Sequence, residues 1–300
     1  MPYHQPVLLQ ESLAGLAIKP QGTYVDLTFG GGGHAQAILG QLLGGRLLAF
    51  DQDRDAAQLA SQLQNPAFTF ISANARFMEQ FLVFHRVSVV DGILADLGVS
   101  WHQIDTPTRG FSTRSEALLD MRMDQQSKHT AQEITNTYSL DQLTKLLKAY
   151  GEVRPAHALA QAIVSARTRQ PIRTTGELKA IVQPFAPQGK HAQYLAQVFQ
   201  AFRIAVNDEL GALQAMLVQS ARMLRKGGRL VIIAYHSLED RLVKRFIKAG
   251  NFTGEAQKDV YGNLVRPFNP ICKKPILPTE QEVQANPRAR SAKLRIGERL

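Results

Sequence analysis

Residues 26–34 read Asp-Leu-Thr-Phe-Gly-Gly-Gly-Gly-His, and this stretch decides the fold that the sequence predicts. It overlaps the end of a β-forming run, Thr23–Phe29, and leads into Ala35–Leu43, whose apolar residues recur at helical spacing. Four consecutive glycines place bare backbone where a ligand must come close, and the amides at the start of a helix face that ligand. The order of strand, glycine turn and helix predicts a ligand-binding edge of an α/β sheet.

Further short apolar runs lie on both sides of this stretch, and the first four runs of the chain alternate with helix-like segments. Such alternation predicts a parallel sheet with crossover helices. A last strand at Ser291–Ile296 is expected to form its antiparallel edge. The other predicted strands are Arg46–Phe50, Phe68–Ile71, Asp91–Leu97 and Arg229–Tyr235, and the predicted flanking helices include Pro6–Ala17 and Asp53–Leu63.

Between the fourth and fifth strands, residues 103–193 contain no convincing strand and several helix starts. Thr130 with Glu133, and Ser139 with Gln142, have the spacing of capping boxes. Gly151 is expected to end one helix and Pro155 to open the next, Ala156–Arg167, with a fourth from Thr175 to before Pro184. We therefore expect a Rossmann-like sheet with an inserted all-helical domain. Its boundaries are 1–103 and 194–300 for the sheet domain and 104–193 for the insertion, with Tyr194–Leu224 as one long returning helix.

Three acidic residues decide which ligand the glycine turn is expected to bind. Asp26 precedes the glycines, Asp51 ends the second strand and Asp96 ends the fourth. A loose G-x-G-x-x-[GA] pattern also fits a dinucleotide, and an acid after the second strand can bind ribose hydroxyls of either cofactor. Carboxylates would repel a pyrophosphate, whereas S-adenosylmethionine carries a sulfonium and an amino acid group and no phosphate. The sequence therefore favours S-adenosylmethionine.

The acceptor site is expected at the carboxyl ends of the fourth and fifth strands, where open α/β sheets place their chemistry. Ser100 would lie beside the transferable methyl group or serve as a plain loop hydroxyl. Trp101 would stack on an extruded base or pack between domains. Tyr235 and His236 are polar residues at a strand end, and we expect them to contact the substrate base, with Ser237 as the N-cap of the following helix.

Composition and charge limit the kinds of binding partner and cofactor that we expect. The net charge is +10, and residues 222–300 hold 17 Lys and Arg against 7 Asp and Glu, whereas the rest of the chain is balanced. The arginines of Asn286–Arg295 suit phosphate contacts, so RNA is the expected partner. A single cysteine, Cys272, excludes disulfide frameworks, and the histidines lack metal-ligand spacing, so no metal is expected. Without a signal sequence or a membrane span, the protein is expected to be cytoplasmic.

Taken together, the motifs resemble the bacterial small-subunit ribosomal RNA cytosine-N4 methyltransferases of the MraW type. The resemblance spans nearly the whole chain. The matching segments, besides Asp26–His34 and Asp91–Ser100, are His4–Glu11, Gly110–Ser112, Leu119–Met123, Tyr150–Glu152, Arg203–Leu210, His236–Arg241 and Asn286–Arg295.

The resemblance implies methylation of a cytidine in the ribosomal decoding region, in free RNA or in an assembled small subunit, with a homodimer left open. The catalytic residues that we expect from the strand ends, Ser100, Tyr235 and His236, lie in or next to its matching segments. The resemblance places the cofactor contacts on Gly32, Gly33, His34, Asp51, Ala75, Asp96 and Gln103.

Some residues depart from the family pattern. Ala75 stands where phenylalanine is usual, so Phe77 is an alternative, and Trp101 replaces a second serine. Ser115–Leu118 and Gln193–Gln197 also differ.

The sequence leaves two other functions open. A methyltransferase acting on DNA or a small molecule is disfavoured because Asp96-Leu-Gly-Val lacks the paired prolines of DNA amino-methyltransferases. A ribosome-assembly factor without activity is disfavoured by the intact glycine turn.

Overall fold

A computed structural model describes residues 6–300, and the first two residues of the His4–Glu11 motif lie outside this range. The chain divides into two compact units. Unit 1 comprises residues 6–98 and 210–300, and unit 2 comprises residues 99–209. No helix among these residues is long and apolar enough to cross a membrane.

Unit 1 is a seven-stranded sheet flanked by helices, in the strand order β3-β2-β1-β4-β5-β7-β6. Strands β1 to β5 are parallel, as predicted, and β7 is antiparallel to both β5 and β6. The strands are β1 Thr23–Asp26, β2 Arg46–Asp51, β3 Phe68–Ser72, β4 Val90–Asp96, β5 Leu224–Ala234, β6 Phe268–Pro270 and β7 Lys293–Arg299. The helices of unit 1 are α1 Leu9–Leu16, α2 Gly33–Leu39, α3 Arg54–Ala60, α4 Met78–Phe84, α11 Glu209–Met223, α12 Ser237–Ala249 and α13 Glu280–Ala285, with α11 starting at the unit boundary.

The apolar runs of the strands follow from burial on both faces of the sheet. On β2, Leu48 and Phe50 pack into one core, and Leu47 and Ala49 pack into a second core on the opposite face. Successive side chains of a strand point to opposite faces, so a sheet covered on both sides needs a continuous apolar strand. This is why the parallel strands could be recognised from the sequence.

The order of the sheet reverses between β1 and β4, which are neighbours although β2 and β3 lie between them in sequence. A crevice forms at such a switch point, at the carboxyl ends of the strands. Asp26 ends β1 and Asp96 ends β4, so the fold brings these two predicted acids to the crevice.

The expectation that the last strand forms the sheet edge is wrong. Strand β7 lies between β5 and β6, so the three-residue β6 is the edge on that side. β6 ends at Pro270, whose nitrogen carries no hydrogen and cannot donate to a neighbouring strand. An edge position tolerates this loss.

Unit 2 is helical, as predicted for the insertion, and its core is formed by residues from Leu119 to Val206. Pro155 precedes α8 as expected. The helices are α5 Trp101–Asp105, α6 Ala131–Thr137, α7 Leu140–Gly151, α8 Ala156–Arg167, α9 Thr175–Val182 and α10 His191–Asn207. Because α10 contributes to this core, the unit ends at Glu209 rather than at Gln193.

Two local expectations in the returning segment and the insertion are wrong. The single helix over Tyr194–Leu224 is broken at Asp208, which adopts a left-handed conformation with φ 45°. The Asn207 amide holds the break, because it donates to Met121 O and accepts from Met123 N. Thr130 caps α6, but Glu133 lies 3.3 Å from His129 Nδ1 and does not complete a capping box. The box of Ser139 with Gln142 is complete.

Candidate functional site

The glycine turn between β1 and α2 is shaped by different requirements at each glycine. Gly32 has φ +77°, and a Cβ at this position would lie 2.7 Å from the Phe29 ring. A Cβ on Gly33 would lie 2.3 Å from Pro6 Cγ. By contrast, a Cβ on Gly31 would meet no atom within 4 Å, and this residue is exposed. The turn therefore presents an uncovered stretch of backbone at Gly31, directly before two glycines that packing requires.

Asp51 ties the end of β2 to this turn. Its Oδ2 accepts a hydrogen bond of 2.8 Å from Gly30 N, and its Oδ1 accepts one of 2.9 Å from Asp53 N. Burial raises the pKa of Asp51 to about 6, although these backbone hydrogen bonds oppose the rise. The carboxylate has lone pairs left for further donors, such as the hydroxyls of a sugar.

Thr28 links the two acids at the switch point. Its N–H donates to Asp26 Oδ1 at 3.0 Å, and its hydroxyl oxygen accepts from Asp96 N at 2.6 Å. Asp26 is 1% exposed, and its Oδ2 forms no hydrogen bond with any described residue. Burial raises the pKa of Asp26 to about 7, and the nearby Asp51 carboxyl adds to the rise. A buried carboxyl oxygen without a partner is costly, so it fits a ligand that brings a donor or a positive charge.

Tyr235 and His34 complete the surroundings of Asp96. The Tyr235 hydroxyl donates to Asp96 Oδ1 at 2.8 Å, and His34 Nδ1 lies 3.9 Å from Asp96 Oδ2. Burial raises the pKa of Asp96 to about 7 despite the Tyr235 hydrogen bond. Burial lowers the pKa of His34 to about 4, so its ring is neutral near pH 7 and can donate from Nε2 to Val7 O, 3.2 Å away. Both residues lie at the predicted edge, whereas their pairings with Asp96 were not predicted.

His236 occupies the place that the sequence assigned to Ser237. It is the N-cap of α12, where its Nδ1 accepts a hydrogen bond of 3.4 Å from Glu239 N. Glu239 completes the capping box, and its Oε2 also accepts from Tyr235 N at 2.9 Å. Asp240, three residues after Ser237, accepts a hydrogen bond of 2.6 Å from Arg295 Nε. The helix thus begins one residue after His236, and Glu239 fixes the backbone that carries Tyr235.

The end of β3 contributes a residue pair that sequence reasoning missed. Asn74 Nδ2 donates to Gln52 Oε1 at 2.7 Å, which joins the segments that follow β3 and β2. Ala75 packs against the core at this place, whereas Phe77 is 43% exposed. The sequence feature that could have indicated this pair is the position of both polar residues directly after neighbouring strands. Thr28 and Glu239, which also follow strand ends, were not predicted either.

The remaining predicted residues, Ser100 and Gln103, belong to unit 2 and bind each other. Ser100 Oγ accepts from Gln103 N at 3.2 Å, and Gln103 Oε1 accepts from Ser100 N at 2.9 Å, which makes a capping box at the start of α5. This local role corresponds to the plain hydroxyl considered for Ser100. Their contacts with cofactor or substrate stay a prediction.

Unit 1 therefore brings together the glycine turn, Asp26, His34, Asp51, Asp96 and Tyr235 at the carboxyl edge of its sheet. These groups can bind a nucleoside through Asp51, a cationic group through Asp26 and Asp96, and a reacting group beside Tyr235. Ionised carboxylates at Asp26, Asp51 and Asp96 would repel a polyphosphate in the same crevice.

Comparison with known proteins gives consistent matches over the whole chain. The model of the MraW methylase family matches residues 1–300. A protein of Amoebophilus asiaticus, named ribosomal RNA small subunit methyltransferase H, is 63% identical over 297 residues, which cover 99% of this chain and 96% of the relative. A protein of Cytophaga hutchinsonii with the same name is 55% identical over 297 residues, which cover 99% of each chain. Among solved structures, a putative methyltransferase from Streptococcus mutans in complex with SAH aligns with 12% identity and a TM-score of 0.43 over 97% of each chain.

Proposed function

The chain belongs to the MraW methylase family, and we propose that it methylates N4 of a cytidine in the decoding region of 16S ribosomal RNA. S-adenosylmethionine is the methyl donor, and small-subunit ribosomal RNA is the acceptor that the relatives' names support. The observation that carries the proposal is the cluster of Asp26, Asp96 and Tyr235 beside the glycine turn, where strands β1 and β4 diverge.

The residues at this edge fit S-adenosylmethionine. Asp26 has a buried carboxyl oxygen that forms no hydrogen bond with any described residue, and no protein atom covers the backbone of the turn at Gly31. Asp51 accepts a hydrogen bond from Gly30 N and has further lone pairs that can accept hydrogen bonds from a ligand. We assign the ribose hydroxyls to Asp51 and the amino acid group to the glycine turn with Asp26. When bound, the cofactor supplies an electrophilic methyl group on a positively charged sulfur.

Methylation of this amine does not require a strong base in the protein. The N4 lone pair of cytosine is delocalised into the ring, so hydrogen-bond acceptors for its N–H groups help to localise that pair and orient the nitrogen. The Tyr235 hydroxyl donates a hydrogen bond to Asp96, so the lone pairs of its oxygen can accept a hydrogen bond from N4–H. Asp96 has a pKa of about 7, so its carboxylate can take the proton that the methylated amine must lose.

His236 and Ser100 complete the proposed catalytic set with different duties. His236, with Glu239, positions the backbone next to Tyr235, and its ring lies at the same strand end. Ser100 is proposed to accept the second N4–H.

Methyl transfer from labelled S-adenosylmethionine to small ribosomal subunits that lack the modification tests this function. We expect one methyl group on a cytidine of 16S RNA, located by mass spectrometry of nuclease fragments and assigned to N4 by nucleoside standards. Asp96→Asn should abolish transfer, whereas Asp141→Asn, at an exposed position on α7, should not affect it. Label at C5 or on the ribose, or equal labelling of DNA, would show that the acceptor is wrong.

A further inference from the structure

A hairpin at residues 257–265 carries the most exposed apolar side chains of the described chain. Val260 is 94% exposed and Tyr261 is 87% exposed. The hairpin is closed by hydrogen bonds from Asp259 N to Asn263 O at 2.9 Å and from Val265 N to Gln257 O at 2.9 Å. Large apolar groups held in water on an ordered turn indicate a contact surface.

The tip of this hairpin is fixed before any partner binds. Asp259 Oδ1 accepts from Tyr261 N and from Asn263 N, each at 2.9 Å, and Asp259 Oδ2 accepts from Asn263 Nδ2 at 3.2 Å. A side chain on a preorganised turn loses less conformational freedom on binding than one on a loose loop. Tyr261 is therefore carried on an ordered backbone turn.

Helix α12 connects this hairpin to the candidate site. It starts directly after Tyr235 and His236, and its 13 residues span about 20 Å. The segment after it packs back onto its end, because the Phe246 and Phe252 rings stack at 5.1 Å and Arg245 Nη1 donates to Phe252 O. A Cβ on Gly250 would meet Pro267 and Arg266 at about 3 Å, so the hairpin base lies against the end of α12.

The surface along this path is basic. Residues 241–274 carry eight Lys and Arg and two Asp and Glu, which gives them a net charge of +6 out of +10 for the chain. Lys244 and Lys248 are exposed one turn apart on α12, and Lys258 is exposed on the hairpin. Among the described residues, these three lysines form no ion pair.

We propose that this surface is an RNA-binding track, in which Tyr261 stacks on an unpaired base while Lys244, Lys248 and Lys258 bind phosphates between that base and the methylation site. Aromatic stacking beside a line of cations is how proteins hold single-stranded RNA. A protein partner fits less well because lysine is depleted in protein interfaces. A second copy would bring its own positive charge. The inference rests on the proposed function for the identity of the RNA.

The test measures binding of a fluorescein-labelled single-stranded RNA oligonucleotide to the full chain by anisotropy at several KCl concentrations. Tyr261→Ala is expected to raise Kd about 5- to 150-fold, whereas Tyr261→Phe retains the stacking face and binds as the wild type. Phe84→Ala, which removes an aromatic ring that is 78% exposed on α4, is the matched control.

Charge is tested separately with the triple variant Lys244→Gln, Lys248→Gln and Lys258→Gln. The slope of log K against log salt should decrease in magnitude by about 2, since each single-strand phosphate contact contributes about 0.7. The control triple Arg46→Gln, Arg86→Gln and Lys226→Gln removes the same charge near the amino ends of the strands and should retain the slope.

Wild-type affinity in Tyr261→Ala, or equal slopes in the two triple variants, would overturn the proposal. A lower molecular mass of Tyr261→Ala in light scattering would assign the tip to self-association and would overturn it as well. Binding needs no methyl transfer, so a wild-type protein that binds RNA through Tyr261 but modifies no cytidine would refute the proposed function and leave the track standing. The reverse result, methylation with a KM for RNA unchanged in Tyr261→Ala, would refute the track alone.

Discussion

Replacement of Gly31 by alanine should separate cofactor binding from folding. The new methyl group meets no protein atom within 4 Å, and Gly31 does not have a positive φ. An alanine in a conformation that it tolerates stabilises a protein by about 0.4–1 kcal/mol, because the unfolded chain has fewer conformations. The melting temperature of the unliganded variant should therefore be equal to that of the wild type or a few degrees higher.

The same methyl group lies where the proposed ligand must approach the turn. An extra methyl group in a close-packed contact costs about 1–3 kcal/mol, which corresponds to a Kd about 5- to 150-fold higher. Calorimetric titration with S-adenosylmethionine measures this loss, and differential scanning fluorimetry without ligand measures stability. Gly33→Ala behaves differently, because its Cβ would lie 2.3 Å from Pro6 Cγ and should lower stability.

Gly40→Ala is the matched control for Gly31→Ala. Gly40 ends α2 with φ −63°, and its Cβ would make only ordinary contacts of 3.6 Å. This variant should bind the cofactor as the wild type does. Wild-type affinity in Gly31→Ala would show that the ligand does not contact the turn, and the assignment of Gly32 and Gly33 to the cofactor would be lost with it.

Three further predictions concern the acids of the crevice. Tyr235→Phe removes the hydrogen bond that favours ionised Asp96, so the acidic limb of the pH profile of kcat/KM should move up by about 1–2 pH units. A lower rate with the acidic limb at its wild-type pH would mean that Tyr235 acts on the substrate alone. Asp51→Ala leaves Gly30 N and Asp53 N without their acceptor, so both the melting temperature and the cofactor affinity should fall, and an affinity equal to that of the wild type would remove Asp51 from the sugar. Asp26 has a pKa of about 7 in the folded protein, above its unfolded value. Its contribution to stability is therefore present below pH 4 and is lost as the pH rises to 7. Asp26→Asn should flatten this part of the pH profile of the free energy of unfolding, measured with urea, and an unchanged profile would contradict the raised pKa.

The parallel core of the sheet and the position of the glycine turn could be predicted because local patterns encode them. Strands β1, β2 and β4 and the second half of β5 are largely buried and therefore mostly apolar, and the polar residues at their ends mark the carboxyl edge. Asp26, Asp51 and Asp96 were recognised in this way. The break at Asp208 was not predicted, because it depends on Asn207 contacts with Met121 and Met123, which lie far away in sequence.

The sequence by itself determined the fold class, the family and the residue types that line the crevice, since each is written in short stretches such as Asp26–His34. Only the tertiary structure decided how those residues pair. Tyr235 binds Asp96 across 139 positions of sequence, and Thr28 joins Asp96 to Asp26. The raised pKa values of these acids also follow from packing, as does the finding that His236 and not Ser237 caps the helix. The physical reason is that burial and hydrogen-bond geometry depend on groups distant in the chain, whose separation no local pattern specifies.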